Sequence, residues 1–187
     1  MNINWQKALG VSICLIGLAL LTSGFYIQLK AQMAQLLIAH AYQQQRTTNE
    51  SIKPWPWADT HVAARIKIKH QWMYVLFGAS ARNLAFGPTV IANTSLPGTR
   101  GNSVVVGHRD THFEVLQHVH VGERIKVERN GTTIDYEVID TAIVDQSSIS
   151  VTAPLDDTAL TLITCYPFND ISPNPKQRFV VRAIKIS

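Results

Sequence analysis

The chain has 187 residues, room for one domain of ordinary size with an appendage and too few for two full domains. With 46% apolar and 16% charged residues it is no disordered tail, and a net charge of +4 without any run of lysines or arginines leaves no nucleic-acid footprint. Its two cysteines, Cys14 and Cys165, exclude a disulfide framework and a cysteine-rich metal site.

The apolar excess lies at the N-terminus. Residues 8–29 carry no charge, and a helix of that length rises about 33 Å, which matches a bilayer core. A cleaved signal peptide has a shorter apolar stretch, and the first Ala-x-Ala, Ala39-His40-Ala41, lies too far downstream to be presented at the membrane face. The segment therefore reads as an uncleaved anchor. Lys7 and Lys30 flank it almost evenly, with a slight bias to an inside N-terminus. Cys14 falls inside the span as a small apolar residue in lipid, which leaves Cys165 alone in the globular part.

After the span, Met33, Leu36, Leu37 and Tyr42 recur at helical spacing, so residues 31–45 continue outward as a stalk. Residues 46–53 are polar, and Pro54-Trp-Pro-Trp57 blocks further helix and holds the chain extended, with Trp55 and Trp57 expected against the flank of the domain that follows. The expected organisation is a cytoplasmic tip and transmembrane helix over 1–30, a stalk and Pro/Trp linker over 31–57, and a globular domain over 58–187.

From residue 58 the rhythm turns from helical to alternating. Val62-Ala-Ala-Arg-Ile-Lys-Ile-Lys69 sets apolar and basic residues on opposite faces of a strand, and Trp72-Met-Tyr-Val-Leu-Phe77 and Ser103-Val-Val-Val-Gly107 read as buried strands. Leu96-Pro-Gly-Thr99 reads as a turn into the next strand. Two apolar-alternating runs, 124–129 and 132–139, flank Asn130-Gly131, whose tolerance of positive φ predicts a β-hairpin. Residues 159–164 and 178–186 complete the set, and only short helices fit, near 83–86 and 113–119. Six to eight strands without long helical repeats predict an all-β barrel or sandwich.

Three residues at strand ends carry candidate chemistry. Cys165 closes Thr161-Leu-Ile-Thr-Cys165 where Tyr166-Pro167 ends the ladder, and an unpaired thiol facing an oxidising compartment is a hazard unless it is used. His108 ends the Val104-Val-Val-Gly107 strand, which leaves its imidazole at the rim of a barrel. Arg178 opens the last strand, 13 residues after Cys165, and Arg182 shares its face, so alternation alone does not say which guanidinium reaches the thiol.

These segments resemble the sortases. Thr161-Leu-Ile-Thr-Cys165 is similar to their TLxTC signature, Gly107-His-Arg-Asp110 to the segment around their histidine, and Arg178-Phe-Val-Val-Arg182 to their arginine strand, in the same order. The Pro54-Trp-Pro-Trp-Ala-Asp59 segment is similar to sortases of marine proteobacterial type, close to class D. The resemblance implies a closed eight-stranded β-barrel behind the N-terminal helix and a cysteine transpeptidase acting on a protein with a C-terminal LPxTG-like sorting signal. It also implies catalytic roles for Cys165, His108 and Arg178, an amine acceptor, no cofactor, and an inner-membrane anchor with the barrel on the periplasmic side.

The chemistry stands beside that resemblance. A thiolate at Cys165 attacks a peptide carbonyl and splits one hard exchange into acylation and deacylation. His108 suits protonation of the leaving amine, and Arg178, always charged, suits the oxyanion or the substrate backbone. Thr164 is weighed for a hydrogen bond at the oxyanion, against a plain strand threonine bound to a neighbour. Asp110 either orients His108 or pins its loop, the loop role being preferred because aspartate at that spacing caps turns. Three rival readings remain: a metal site at His108, His112, His118 and His120, with His118 and His120 on one side of a strand; a cysteine peptidase that uses water as acceptor; and a non-catalytic peptide-binding barrel.

Overall fold

The computed structural model describes residues 5–48, 50–170, 172 and 174–186. Two compact units divide it, Met1–Leu37 and Ile38–Ser187. The first consists of most of one helix, α1 (Trp5–Thr48). An α-helix satisfies its own backbone polar groups, and the hydroxyls here do likewise: Ser12 donates to the Ala8 carbonyl and Thr22 to that of Leu18, each at 2.9 Å. Among the described residues this is the one helix long and apolar enough to cross a membrane, with Leu15, Ile16, Leu20 and Leu21 all exposed.

The second unit holds eight strands: β1 (Val62–Ile68), β2 (Gln71–Phe77), β3 (Thr89–Val90), β4 (Gly101–Val106), β5 (Arg124–Arg129), β6 (Thr132–Asp145), β7 (Thr158–Tyr166) and β8 (Gln177–Lys185). They close into a barrel in the order β1-β2-β3-β4-β7-β8-β6-β5, because β1 pairs with both β2 and β5. That closure decides between the barrel and the sandwich that alternation left open. Asn130 and Gly131 take φ of 49° and 78° at the expected hairpin turn. Gly98, at φ 90°, turns the chain within the segment read as a turn at 96–99. The short helices fall near their expected places, α2 at Ala81–Leu84 and a 3-10 turn at Glu114–His118, with a second 3-10 turn at Ile149–Thr152. β3 escapes sequence reading because two residues show no period, and β6 runs on past 139 through a register shift between Val138 and Asp140.

Strand alternation divides the apolar residues between two faces. Val105, Leu160, Leu162, Val181 and Ala183 point inward with Ile66, Val75, Val127 and Tyr136 to form the barrel core. Val104, Ile163 and Val180 point outward and form a second apolar cluster on β4, β7 and β8, flanked by Ile91, Val106, Val144 and Val151.

The last turns of α1 belong to the barrel unit. Ile38 and Tyr42, both fully buried, pack on Val62 and Leu76; the Tyr42 hydroxyl donates to the Glu128 carbonyl at 3.1 Å, and Gln45 Nε2 donates to the Val62 carbonyl at 2.9 Å. Below them Glu128 receives Arg65 Nη2 at 2.6 Å, and Arg65 stacks on Trp72 with its guanidinium 4.1 Å from the ring centroid. Of the two tryptophans expected on the flank, Trp55 meets Phe86 edge-on at 5.2 Å, whereas Trp57 is 79% exposed.

Two expectations follow. Burying Ile38 and Tyr42 contributes roughly 1.5–3 kcal/mol each, so a chain begun at residue 46 should unfold at a clearly lower temperature than one begun at residue 38. Equal melting temperatures would show that the helix end adds nothing. Second, His61 stacks on Phe77 at 5.0 Å between centroids, and burial holds its imidazole below the usual range. The folded state thus keeps His61 neutral while the unfolded chain protonates near the reference value of about 6.5. Its contribution is full above that pH and is lost as pH falls below it, and His61→Phe should flatten the acid side of a plot of melting temperature against pH.

Candidate active site

The register of three neighbouring strands brings the candidate residues into one row. β4 and β7 run parallel, with Val106 beside Ile163. The Gly107 N–H continues the ladder by donating to the Ile163 carbonyl at 3.2 Å. Two residues further on each chain stand His108 and Cys165, on the outward face that Val106 and Ile163 share. On the other side of β7, Cys165 stands directly opposite Arg178 of antiparallel β8, while Arg182 stands opposite Thr161, four residues away along the strand. Of the two arginines that alternation left open, the register sets Arg178 across from Cys165.

Local sequence explains why His108 sits there. Gly107 precedes it because a Cβ at that position would lie 2.8 Å from the ring of Phe113, which is fully buried. Phe113 in turn donates its N–H to the His108 carbonyl at 3.0 Å, which turns the chain sharply after the strand. Thr164 points inward, away from the thiol, and its hydroxyl donates to the Gly107 carbonyl at 2.8 Å. It ties the residue before the cysteine to the residue before the histidine.

His108, Arg109, Asp110, Cys165, Phe168 and Asp170 line a cleft of about 520 Å³. Cys165 is half-buried in its wall. The carboxylate of Asp110 is exposed and has no hydrogen-bond partner among the described residues, so the turn after His108 is closed by the Phe113 amide and not by an aspartate cap. The guanidinium of Arg178 is turned to the loop before β8: Nη1 donates to the carbonyls of Pro175 at 2.6 Å and Gln177 at 2.9 Å, and Nη2 reaches Gln146 Oε1 at 3.4 Å. It braces Pro175, which lines the cleft.

His112 lies near His108; burial first, and the charge of His108 second, hold its imidazole below the usual range. His118 ends the 3-10 turn and His120 sits in the loop beyond it, so the two do not share the strand face expected of them. Among the described residues no cluster of three or more metal-ligating side chains forms.

Arg109 is the residue that sequence reading passed over. Arg109 is only 9% exposed. Its Nη1 donates to the Pro167 carbonyl at 2.8 Å, and its Nη2 to the carbonyls of Ser172, at 2.9 Å, and of Asp170. The Asp170 carboxylate stands 3.9 Å from the guanidinium.

Comparison with known proteins agrees with this architecture. A sortase domain family model matches residues 65–186. Sortase D of Bacillus subtilis (strain 168) is 28% identical over 114 residues, 60% of this chain and 57% of that protein, so the match spans little more than half of the relative. A Clostridium perfringens sortase D5 transpeptidase superposes with a TM-score of 0.68 at 22% identity, over 82% of this chain and 99% of that one. A Clostridium perfringens sortase C, solved with the C-terminal cell wall sorting motif, superposes with a TM-score of 0.61 at 20% identity, over 84% and 90% of the two chains. The family match covers most of the barrel, from β1 to the end of β8. The chain belongs to the sortase domain family.

Proposed function

We propose that this chain is a membrane-anchored cysteine transpeptidase, class D-like, that cleaves a C-terminal LPxTG-like sorting signal and passes the acyl part to an amine. The observation that carries the reading is the row His108–Cys165–Arg178 at the ends of β4, β7 and β8, with His108 and Cys165 lining one cleft. An extended peptide entering the cleft lined by His108, Cys165 and Phe168 presents a carbonyl to the thiol. The sorting motif bound to the Clostridium perfringens sortase C supports the substrate class, and sortase D and sortase D5 support the class assignment. Proteobacterial type rests on the 54–59 segment alone.

In the first half-reaction the Cys165 thiolate bonds to the carbonyl carbon, the C–N bond breaks, and His108 gives its proton to the departing amine. In the second, an incoming amine attacks the thioester, His108 takes the amine's proton, and the C–S bond breaks to return the thiolate. Arg178 leaves its loop carbonyls to meet the substrate backbone or the oxyanion. Thr164 and Asp110 are supporting residues, Thr164 through Gly107 and Asp110 as an exposed wall of the cleft. No step needs a metal or cofactor. The apolar part of α1 serves as a single-pass inner-membrane anchor, with the barrel on the periplasmic side.

Steady-state kinetics on the full chain in detergent tests the roles. Cys165→Ala should abolish turnover of a sorting-signal peptide, and His108→Ala should nearly do so. Arg178→Ala should lower the rate by on the order of 10²–10³, as loss of an oxyanion donor does, while Arg182→Ala stays near wild type. Normal turnover by Cys165→Ala would defeat the proposal. Added primary amine separates transfer from hydrolysis: a transpeptidase diverts product from acid to amide as amine rises, a peptidase does not.

A further inference from the structure

We propose that Arg109 is a positioning residue, which sets the approach of His108 to Cys165 by clamping the chain that leaves Cys165 to the chain that leaves His108. The inference rests on the cysteine–histidine reading above and adds to it a residue outside the reacting set. Arg109 follows His108 directly, and its guanidinium is wrapped by the loop that begins two residues after Cys165. The carbonyls of Pro167, Asp170 and Ser172 all accept from it, and the Asp170 carboxylate faces it.

The loop is folded to suit that cation. The Asp170 N–H reaches back to the Pro167 carbonyl at 3.5 Å, and Asp170 Oδ1 accepts from the Ser172 N–H at 2.9 Å, so the turn points its carbonyls inward. A buried guanidinium persists only where its donors are met, and a planar fork meets three divergent carbonyls as a single ammonium does not. The two strands are therefore bound on both sides of the reacting pair. Thr164 joins them just before His108 and Cys165, and Arg109 joins them just after. Proton transfer by His108 at the Cys165 centre falls off steeply with misplacement, so slack in either tie slows the chemical step.

The test is turnover of an LPxTG-type peptide by the full chain, with the Cys165 adduct read by intact mass, for wild type, Arg109→Lys and Arg109→Gln. A folded wild type that forms no adduct on Cys165 would defeat the transpeptidase reading and the clamp with it. With an adduct formed by wild type, both variants should lose about tenfold in kcat while KM stays near wild type. Failure of the lysine to rescue marks the geometry and not the charge as the cause. Variants that keep the wild-type kcat, with only a lower melting temperature, would overturn the proposal and leave the transpeptidase reading standing. Should the variants not fold, the nitrogen-15 spectrum of the wild type decides: separate, slowly exchanging Arg109 Nη signals support the clamp, and one averaged signal overturns it.

Discussion

The parallel pairing of β4 with β7 is the constraint on which the rest depends. Sequence separates His108 from Cys165 by 57 residues, and a parallel pair needs a long crossover to bring such segments together. Once Val106 lies beside Ile163, the next outward pair is fixed by strand geometry alone, since side chains recur on one face every second residue. Antiparallel β8 on the other side of β7 adds Arg178 to the same row. A slip of one residue in either ladder would turn Cys165 into the barrel or put Phe179 opposite it, and the buried inward residues Leu160, Leu162 and Val181 resist that slip.

The closed barrel is packed on both faces of β4, β7 and β8. Its interior is filled by side chains, and on the outside Ile91, Val144 and Val151 cover Val104, Ile163 and Val180. The open ground is the cleft at the strand ends, where Cys165 meets His108, Asp110 and Asp170. The loops around the cleft are held by arginines: Arg109 binds the carbonyls of Pro167, Asp170 and Ser172, and Arg178 those of Pro175 and Gln177.

Much of this was legible in the sequence, and the reasons for the rest are physical. Asn130-Gly131 declared its hairpin, and Pro54 to Trp57 ended the helix, because φ preferences act locally. The strand ends at His108 and Cys165 were visible as apolar runs stopped by Gly-His and Tyr-Pro. Closure of the sheet was not visible, since it rests on β1 pairing with β5 across some 60 residues. Nor was the burial of Arg109, whose partners are backbone carbonyls that any sequence supplies. The seating of Ile38 and Tyr42 on the barrel was hidden for a similar reason: their helical spacing is the same for a free stalk and for one docked on Val62 and Leu76. His118 and His120 show the converse error, a two-residue spacing that looks like a strand face and falls at the end of a 3-10 turn.

The most direct test of the account is the intact mass of the full chain after mixing with an LPxTG-type peptide, with the adduct mapped by fragmentation. A thioester-sized increment on Cys165, cleared faster by a primary amine than by water, is the expected result. A folded protein that hydrolyses such peptides without passing through an adduct on Cys165, or carries the adduct elsewhere, would contradict it.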